Sequence, residues 1–203
     1  MAKILLATGN EGKIKEFKKL LEDLPIQLVS LKELDRPPKI LEDGKTFLDN
    51  AKKKALELAK FSNLLTLADD SGLEVDYLEG APGVYSARFA GENASDSDNN
   101  KKLLQLLAGL PLEKRQARFI CCLVIAYPDG NYYVAEGKCE GLIAFEPKGQ
   151  NGFGYDPIFY LPQLAMTMAE LSPEEKNSLS HRAEAMRKMK QIIIDNILRL
   201  SKE

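Results

Sequence analysis

Several short stretches of the sequence group residues able to handle a polyanion, a divalent cation and a flat heterocycle. Thr8-Gly9-Asn10-Glu11-Gly12-Lys13 follows the apolar run Ile4–Ala7 and precedes apolar residues at helical spacing, so it turns a strand into a helix. A helix start offers unpaired N–H groups and a partial positive charge, both of which attract phosphate. The glycines let an anion approach the backbone, Lys13 adds a full charge, and Thr8 and Asn10 add neutral polar groups. The stretch is neither a P-loop nor a dinucleotide fingerprint, and a plain capped helix start is the alternative. Glu42-Asp43-Gly44 and Asp69-Asp70-Ser71-Gly72 read as acidic turns. The second follows the apolar run Leu64–Ala68 and is expected at the carboxyl end of a strand, where open α/β sheets take ligands. Carboxylates clustered there suit Mg2+, which takes a few oxygen ligands together with substrate phosphates; solvated turns are the alternative. Lys54 borders the apolar stripe of a predicted helix and could reach into a site, or simply lay its stem along the surface.

Gly149-Gln150-Asn151-Gly152-Phe153-Gly154-Tyr155-Asp156-Pro157 sets an aromatic ring between two glycines. A base can stack on such a face, and Asp156 can accept from ring N–H groups. A tight turn around a core aromatic is the alternative. Ser180-His181-Arg182 opens the last predicted helix, with Lys176 before it. Arg and Lys are permanent donors and could read a base carbonyl, while His181 could equally be a capping or surface histidine. Taken together, a phosphate cradle, acids for a metal and an aromatic-plus-cation reader point to a Mg-nucleotide site.

The elements that must position these residues follow from periodicity. Lys3–Ala7 predicts a buried strand. Ile14, Phe17, Leu20, Leu21 and Leu24 predict a helix that Pro25 ends, and Ile26–Leu31 predicts a second strand. A helix from about Thr46 is expected to bury Phe47, Leu48, Ala51, Ala55, Leu58 and Ala59. Leu64–Ala68 is expected to stop at Asp69, and Leu73 and Val75 alternate as in a half-exposed strand. Gly80–Gly91 reads as a loop, and Ser95 or Asp96 as the cap of a helix through Leu107. Phe119–Tyr127 and Tyr132–Ala135 form a hairpin across Pro128-Asp129-Gly130-Asn131. Ser172-Pro173-Glu174-Glu175 is a helix-start signature, and Met186, Met189, Ile193, Ile197 and Leu200 share a face of the last helix. Interspersed strands and helices with one hairpin predict an α/β protein with a mixed sheet, residues 1–203 forming a single domain.

Composition bounds what such a site can serve. The 203 residues are 44% hydrophobic and 29% charged, a globular mix. A formal charge of −2 gives no global pull toward a nucleic-acid polymer or an anionic membrane, so any anion site must be local. The apolar run at the start is too short for a signal peptide, and no stretch has the length of a membrane span. Three cysteines without metal-site spacing predict packed, reduced thiols in a cytoplasmic protein.

The ordered set Thr8-Gly9-Asn10-x-x-Lys13, Glu42-x-Gly44-x-Thr46-Phe47, Asn50-Ala51-x-x-Lys54-Ala55, Asp69-Asp70-Ser71-Gly72-Leu73, Pro82-Gly83-Val84-x-Ser86-Ala87-Arg88, Gly152-Phe153-Gly154-Tyr155-Asp156-Pro157 and Ser180-His181-Arg182 resembles the inosine triphosphate pyrophosphatases, the HAM1 family. The resemblance covers nearly the whole chain. It implies an elongated mixed sheet flanked by helices, with two lobes and the active site in the cleft between them. It implies Mg2+-dependent conversion of ITP, dITP and XTP to monophosphate and pyrophosphate, by a homodimer that clears deaminated purines. Carried onto this chain, it makes Asp70 the general base and Glu42 and Asp70 the Mg2+ ligands. It assigns Thr8, Gly9, Asn10, Glu11, Gly12, Lys13, Lys54, Ser71, Phe153, Gly154, Tyr155, Asp156, Lys176, His181 and Arg182 to the substrate. Arg182, with His181 and Lys176, would donate to the 6-oxo group. Asp43 stands where the family usually has Thr, and Asp49 where it usually has Glu; Asp43 adds an acid that could change the ligand set.

Overall fold

The structure is a computed structural model and describes residues 2–199. In chain order it contains β1 (Ala2–Leu6), α1 (Glu11–Leu20), β2 (Ile26–Ser30), α2 (Phe47–Ser62), β3 (Leu65–Val75), α3 (Asp96–Leu106), β4 (Gln116–Ala126), β5 (Tyr132–Ile143), β6 (Phe159–Leu161), β7 (Met166–Thr167), α4 (Pro173–Leu179) and α5 (His181–Ile193). The strands form one seven-stranded sheet in the order β2-β1-β3-β4-β5-β6-β7. β1 runs parallel to β2 and β3, and β6 antiparallel to β5 and β7. This is the mixed α/β architecture that the interspersed elements predict.

The chain divides into two compact units. The first comprises residues up to Asp70, Cys121–Gly137 and the chain from Arg182. Its strands are covered on both faces. Ile4, Leu6, Leu67, Cys121 and Leu123 face Phe17 of α1 and Leu21 just past its end, and Met186, Met189 and Ile193 of α5. The next residue along each strand, Leu5, Ala7, Ala68, Val124 or Ala126, faces Ala51, Ala55, Leu58 and Ala59 of α2. The period of two along each strand fixes which residues look which way, and two buried faces explain why the strands read as unbroken apolar runs.

The second unit comprises Ser71–Ile120 and Lys138–His181. Its core gathers Leu73, Val75, Leu103, Phe119, Ile143, Phe159 and Met168. Buried Arg115 donates to the carbonyls of Leu107, Ile143 and Ala144 at 2.9, 2.7 and 2.7 Å, so its own buried donors are satisfied by backbone.

The caps fall where the sequence places them: Ser95 for α3, and Ser172 with Glu175 for α4, with Pro173 at its first position. Elsewhere the structure corrects expectation. β3 does not stop at Asp69 but continues through both acids to Val75. Asp69 and Asp70 therefore lie within a strand, not in a turn beyond its end; ion pairs described below let the carboxylates stay there. α1 ends at Leu20, with Leu21 as its cap, short of the expected Leu24. Leu48 is 40% exposed rather than part of the buried stripe, because it is one residue, roughly 100°, around the helix from Phe47. The expected loop Gly80–Gly91 contains a 3-10 helix, Gly83–Arg88. α5 closes in a π turn, Ile194–Leu198, and Leu200 lies outside the described residues.

Candidate active site

In the first unit the turn between β1 and α1 is a capped helix start. Asn10 Oδ1 accepts from the Lys13 backbone N–H at 3.0 Å, and Thr8 Oγ1 accepts from the Asn10 N–H at 3.2 Å. A side chain at Gly9 would meet nothing within 4 Å, so the turn is open there. Glu11 turns aside to Lys32 at 2.6 Å. Lys13, in the first turn of the helix, sends its ammonium to Asp69.

Asp69 and Asp70 are consecutive on β3 and so face opposite ways. Asp69, on the α1 and α5 face, pairs with Lys13 and accepts from Arg182 Nε at 3.1 Å and from the Cys121 thiol at 3.2 Å. Arg182 also pairs with Glu16, on the same face of α1 as Lys13. Full burial would raise the Asp69 pKa, but the charges of Lys13 and Arg182 outweigh it and hold this carboxyl far below the usual carboxylate range.

Asp70 faces α2. Asn50 Nδ2 donates to its Oδ2 at 3.0 Å, and Lys54 Nζ lies 3.8 Å from its Oδ1. Lys54 also reaches Glu42 at 3.1 Å and donates to the Asp69 carbonyl at 2.8 Å. Burial, with a smaller push from the Glu42 carboxylate, drives the Asp70 pKa up to about 6 against the pull of Lys54, Lys13 and Asn50. Adjacent acids with opposite shifts are the pattern that separates a fixed charge from a proton acceptor. Asp43 is tied to Lys53 at 2.7 Å.

Among the described residues no group of three or more His, Cys, Asp or Glu side chains is arranged to hold a metal ion. A smaller set does suit Mg2+. Glu42 and Asp70 converge on one cation already, the Lys54 ammonium, at 3.1 and 3.8 Å. Mg2+ commonly binds through one or two carboxylates plus waters and substrate phosphates, so the donor set fits.

The second unit assembles the aromatic group. Lys176 Nζ sits 4.6 Å from the centroid of the Phe153 ring and 2.6 Å from Asp156 Oδ2. The same Oδ2 accepts from the Phe153 N–H at 2.8 Å. Gly152 has φ +76, and a Cβ there would lie 2.0 Å from Asp156 Oδ2, so only glycine admits this closure. Gly154 is held at both ends, its N–H by Asp96 at 2.7 Å and its carbonyl by Asn100 at 3.1 Å. The Tyr155 hydroxyl donates to the Ser86 carbonyl at 2.8 Å. His181 is buried and stacks on Phe119, centroids 4.7 Å apart and planes at 16°. Ser71 follows Asp70 on β3 and is half-buried.

The expected site residues thus form two groups. Lys13, Glu42, Lys54, Asp70 and Arg182 belong to the first unit, and Phe153, Asp156 and Lys176 to the second. Glu16, Asn50 and Cys121 were not among the expected site residues. The spacing of Lys13 and Glu16 on one helical face was a legible signal for the first. Cys121 gave none, because a buried thiol beside an acid is indistinguishable in sequence from packing.

Residues 4–192 match the Ham1 family. A dITP/XTP pyrophosphatase of Desulforamulus reducens is 56% identical over 191 residues, covering 94% of this chain and 95% of that one. One of Exiguobacterium sibiricum is 50% identical, covering 92% and 94%. The solved structure of a HAM1 protein from Coxiella burnetii superposes with a TM-score of 0.89 at 42% identity, covering 96% of this chain and 100% of that one.

Proposed function

This chain belongs to the Ham1 family, and on that premise we propose that it hydrolyses dITP, XTP and ITP to the monophosphate and pyrophosphate. The observation that carries the reading is the pair on β3, with Asp69 tied to Lys13 and Arg182 on one face and Asp70, on the other, hydrogen-bonded to Asn50 and 3.8 Å from Lys54. Burial pushes the Asp70 carboxyl up to about 6, which favours its taking a proton from water near neutrality; Mg2+ on the same carboxylate would lower that basicity while making the water more acidic. In the proposed reaction Asp70 takes that proton as the water oxygen bonds to the α-phosphorus. The bond from phosphorus to the bridging oxygen breaks, and pyrophosphate leaves.

Phosphoryl transfer depends mostly on positioning and charge neutralisation. Lys13, Lys54 and the open α1 start, with Thr8, Gly9, Asn10, Gly12 and the backbone of Glu11, whose carboxylate is turned to Lys32, are assigned to the phosphates. Glu42 and Asp70 are the proposed ligands of Mg2+, which when bound neutralises phosphate oxygens and the charge on the leaving group. Asp69 stays a fixed anion that sets the positions of Lys13 and Arg182.

Phe153 and Gly154 are assigned to the base, with Tyr155 and Asp156 supporting their loop and Lys176, His181, Arg182 and Ser71 completing the substrate set. Asp156 holds Lys176 over the Phe153 ring, which supports Lys176 as donor to a 6-oxo group. A 6-amino group would present a donor to that cation, and mismatches of this kind discriminate by up to ~10⁴-fold. Arg182 is buried among carboxylates, which supports a second task, fixing Asp69.

The same reading carries a cytoplasmic homodimer with neither a nucleic-acid polymer nor a membrane as partner. Among the described residues no helix is long and apolar enough to cross a membrane. Sedimentation at twice the chain mass is expected. Incubation with ITP and Mg2+ should yield IMP and pyrophosphate in equal amounts. Formation of IDP and orthophosphate overturns the α-phosphorus assignment, and ATP turnover equal to that of ITP overturns the base assignment.

A further inference from the structure

Asn50 lies in the first turn of α2, is 1% exposed, and uses both ends of its amide. Nδ2 donates to Asp70 Oδ2 at 3.0 Å, and Oδ1 accepts from the Gly44 N–H at 2.8 Å. The reversed amide would aim its NH2 at an N–H donor and its oxygen at a carboxylate, so the neighbours themselves dictate the orientation. Gly44 is two residues beyond Glu42, in an irregular segment without strand or helix. One neutral side chain therefore joins the segment bearing Glu42 to the strand bearing Asp70.

The frame around this link is rigid. A reciprocal capping box between Thr46 and Asp49 fixes the start of α2, and Ala51 and Ala55 pack into the core directly after Asn50. The segment is also drawn in closely: a Cβ on Gly44 would lie 2.7 Å from both Asn50 Oδ1 and Asp49 Cβ. Lys54 touches the same two acids, but its charge competes with a cation for them. An amide does not. By occupying Oδ2 of Asp70, Asn50 orients that carboxylate and leaves Oδ1 turned toward Lys54, 3.8 Å away.

We propose that Asn50 is a positioning residue that sets the separation and orientation of Glu42 and Asp70 as a two-carboxylate site for a hydrated divalent cation. This rests on the assignment of Mg2+ to those acids. Groups that orient metal-binding carboxylates typically change metal affinity by about 10- to 100-fold when removed.

The test is Mn2+ binding followed by electron paramagnetic resonance on the purified full chain, without nucleotide, for wild type and Asn50→Leu. Steady-state dITP hydrolysis at saturating Mg2+ is measured in parallel. The variant should bind Mn2+ roughly 10- to 100-fold more weakly, with a lowered kcat and a nucleotide KM little changed. Gly44→Ala keeps Asn50 but pushes the segment away, and should weaken Mn2+ in the same direction; it also decides the matter if Asn50→Leu does not fold. Mn2+ affinity within about twofold of wild type in the folded variants overturns the proposal, as does a wild type that binds no Mn2+. A wild type that binds Mn2+ but turns over no dITP removes the proposed substrate while leaving the role of Asn50 to be decided by the binding comparison.

Discussion

At the scale of single residues, Asp69 and Asp70 pull stability in opposite directions. The folded pKa of Asp69 is depressed, so its contribution is present above the unfolded value of about 3.9 and is lost as pH falls below it. Asp69→Asn leaves Lys13 without its carboxylate and buried Arg182 with Glu16 alone. It should destabilise by roughly 3–5 kcal/mol, and chemical denaturation at pH 7 measures this. For Asp70 the folded pKa is raised, so any contribution fades as pH climbs through about 6, and above that the ionised group costs stability. Asp70→Asn should abolish turnover and yet stabilise the metal-free protein at pH 8 by roughly 1–3 kcal/mol, a gain that shrinks toward pH 5. Equal melting curves for the two proteins at pH 8 would sink this. The sequence displayed the Asp69-Asp70 pair but not its asymmetry. That asymmetry comes from Lys13 and Arg182, 56 and 113 positions from Asp69, and from the burial of Asp70 without charges enough to offset it. Long-range pairs of this kind leave no local pattern.

At the scale of elements, the phosphate turn and the aromatic loop obey different rules. The turn is an ordinary capped start, and Asn10→Ala should cost about 1 kcal/mol of stability through the lost cap, with a higher KM as the helix start loosens. The aromatic loop is held by glycine geometry. Gly152→Ala would drive a methyl group into Asp156 Oδ2 and force an unfavourable backbone angle. Displacing Asp156 frees Lys176, so discrimination between ITP and ATP should fall by at least about tenfold, read as a ratio of kcat/KM values. Unchanged selectivity would remove Asp156 from that task. Caps and glycine loops were legible because they depend on residues within a few positions of each other. Where β3 ends was not. Polar residues in a row look like a turn until their partners are known, and Asp69 and Asp70 can stay in the strand because Lys13, Arg182 and Lys54 pair with them.

For the molecule as a whole, the cores explain the thiols. Cys121, Cys122 and Cys139 are buried and unbridged. Burial raises the Cys121 thiol well above its ordinary value and pushes Cys122 up to about 12. A thiol reagent at pH 8 should label the native protein slowly and reach all three cysteines only on unfolding; prompt labelling of the native chain would contradict this packing. The alternation along β3, with Leu67 and Asp69 on one side and Ala68 and Asp70 on the other, also bears on how such a chain can diverge. One codon gained or lost between Leu65 and Asp69 would swap the two carboxyls, putting the would-be base among the cations and the fixed anion beside α2. Point changes are open to this strand, whereas shifts in its length are closed. Divergence by insertion must therefore find room elsewhere, as in the irregular stretch ahead of α2.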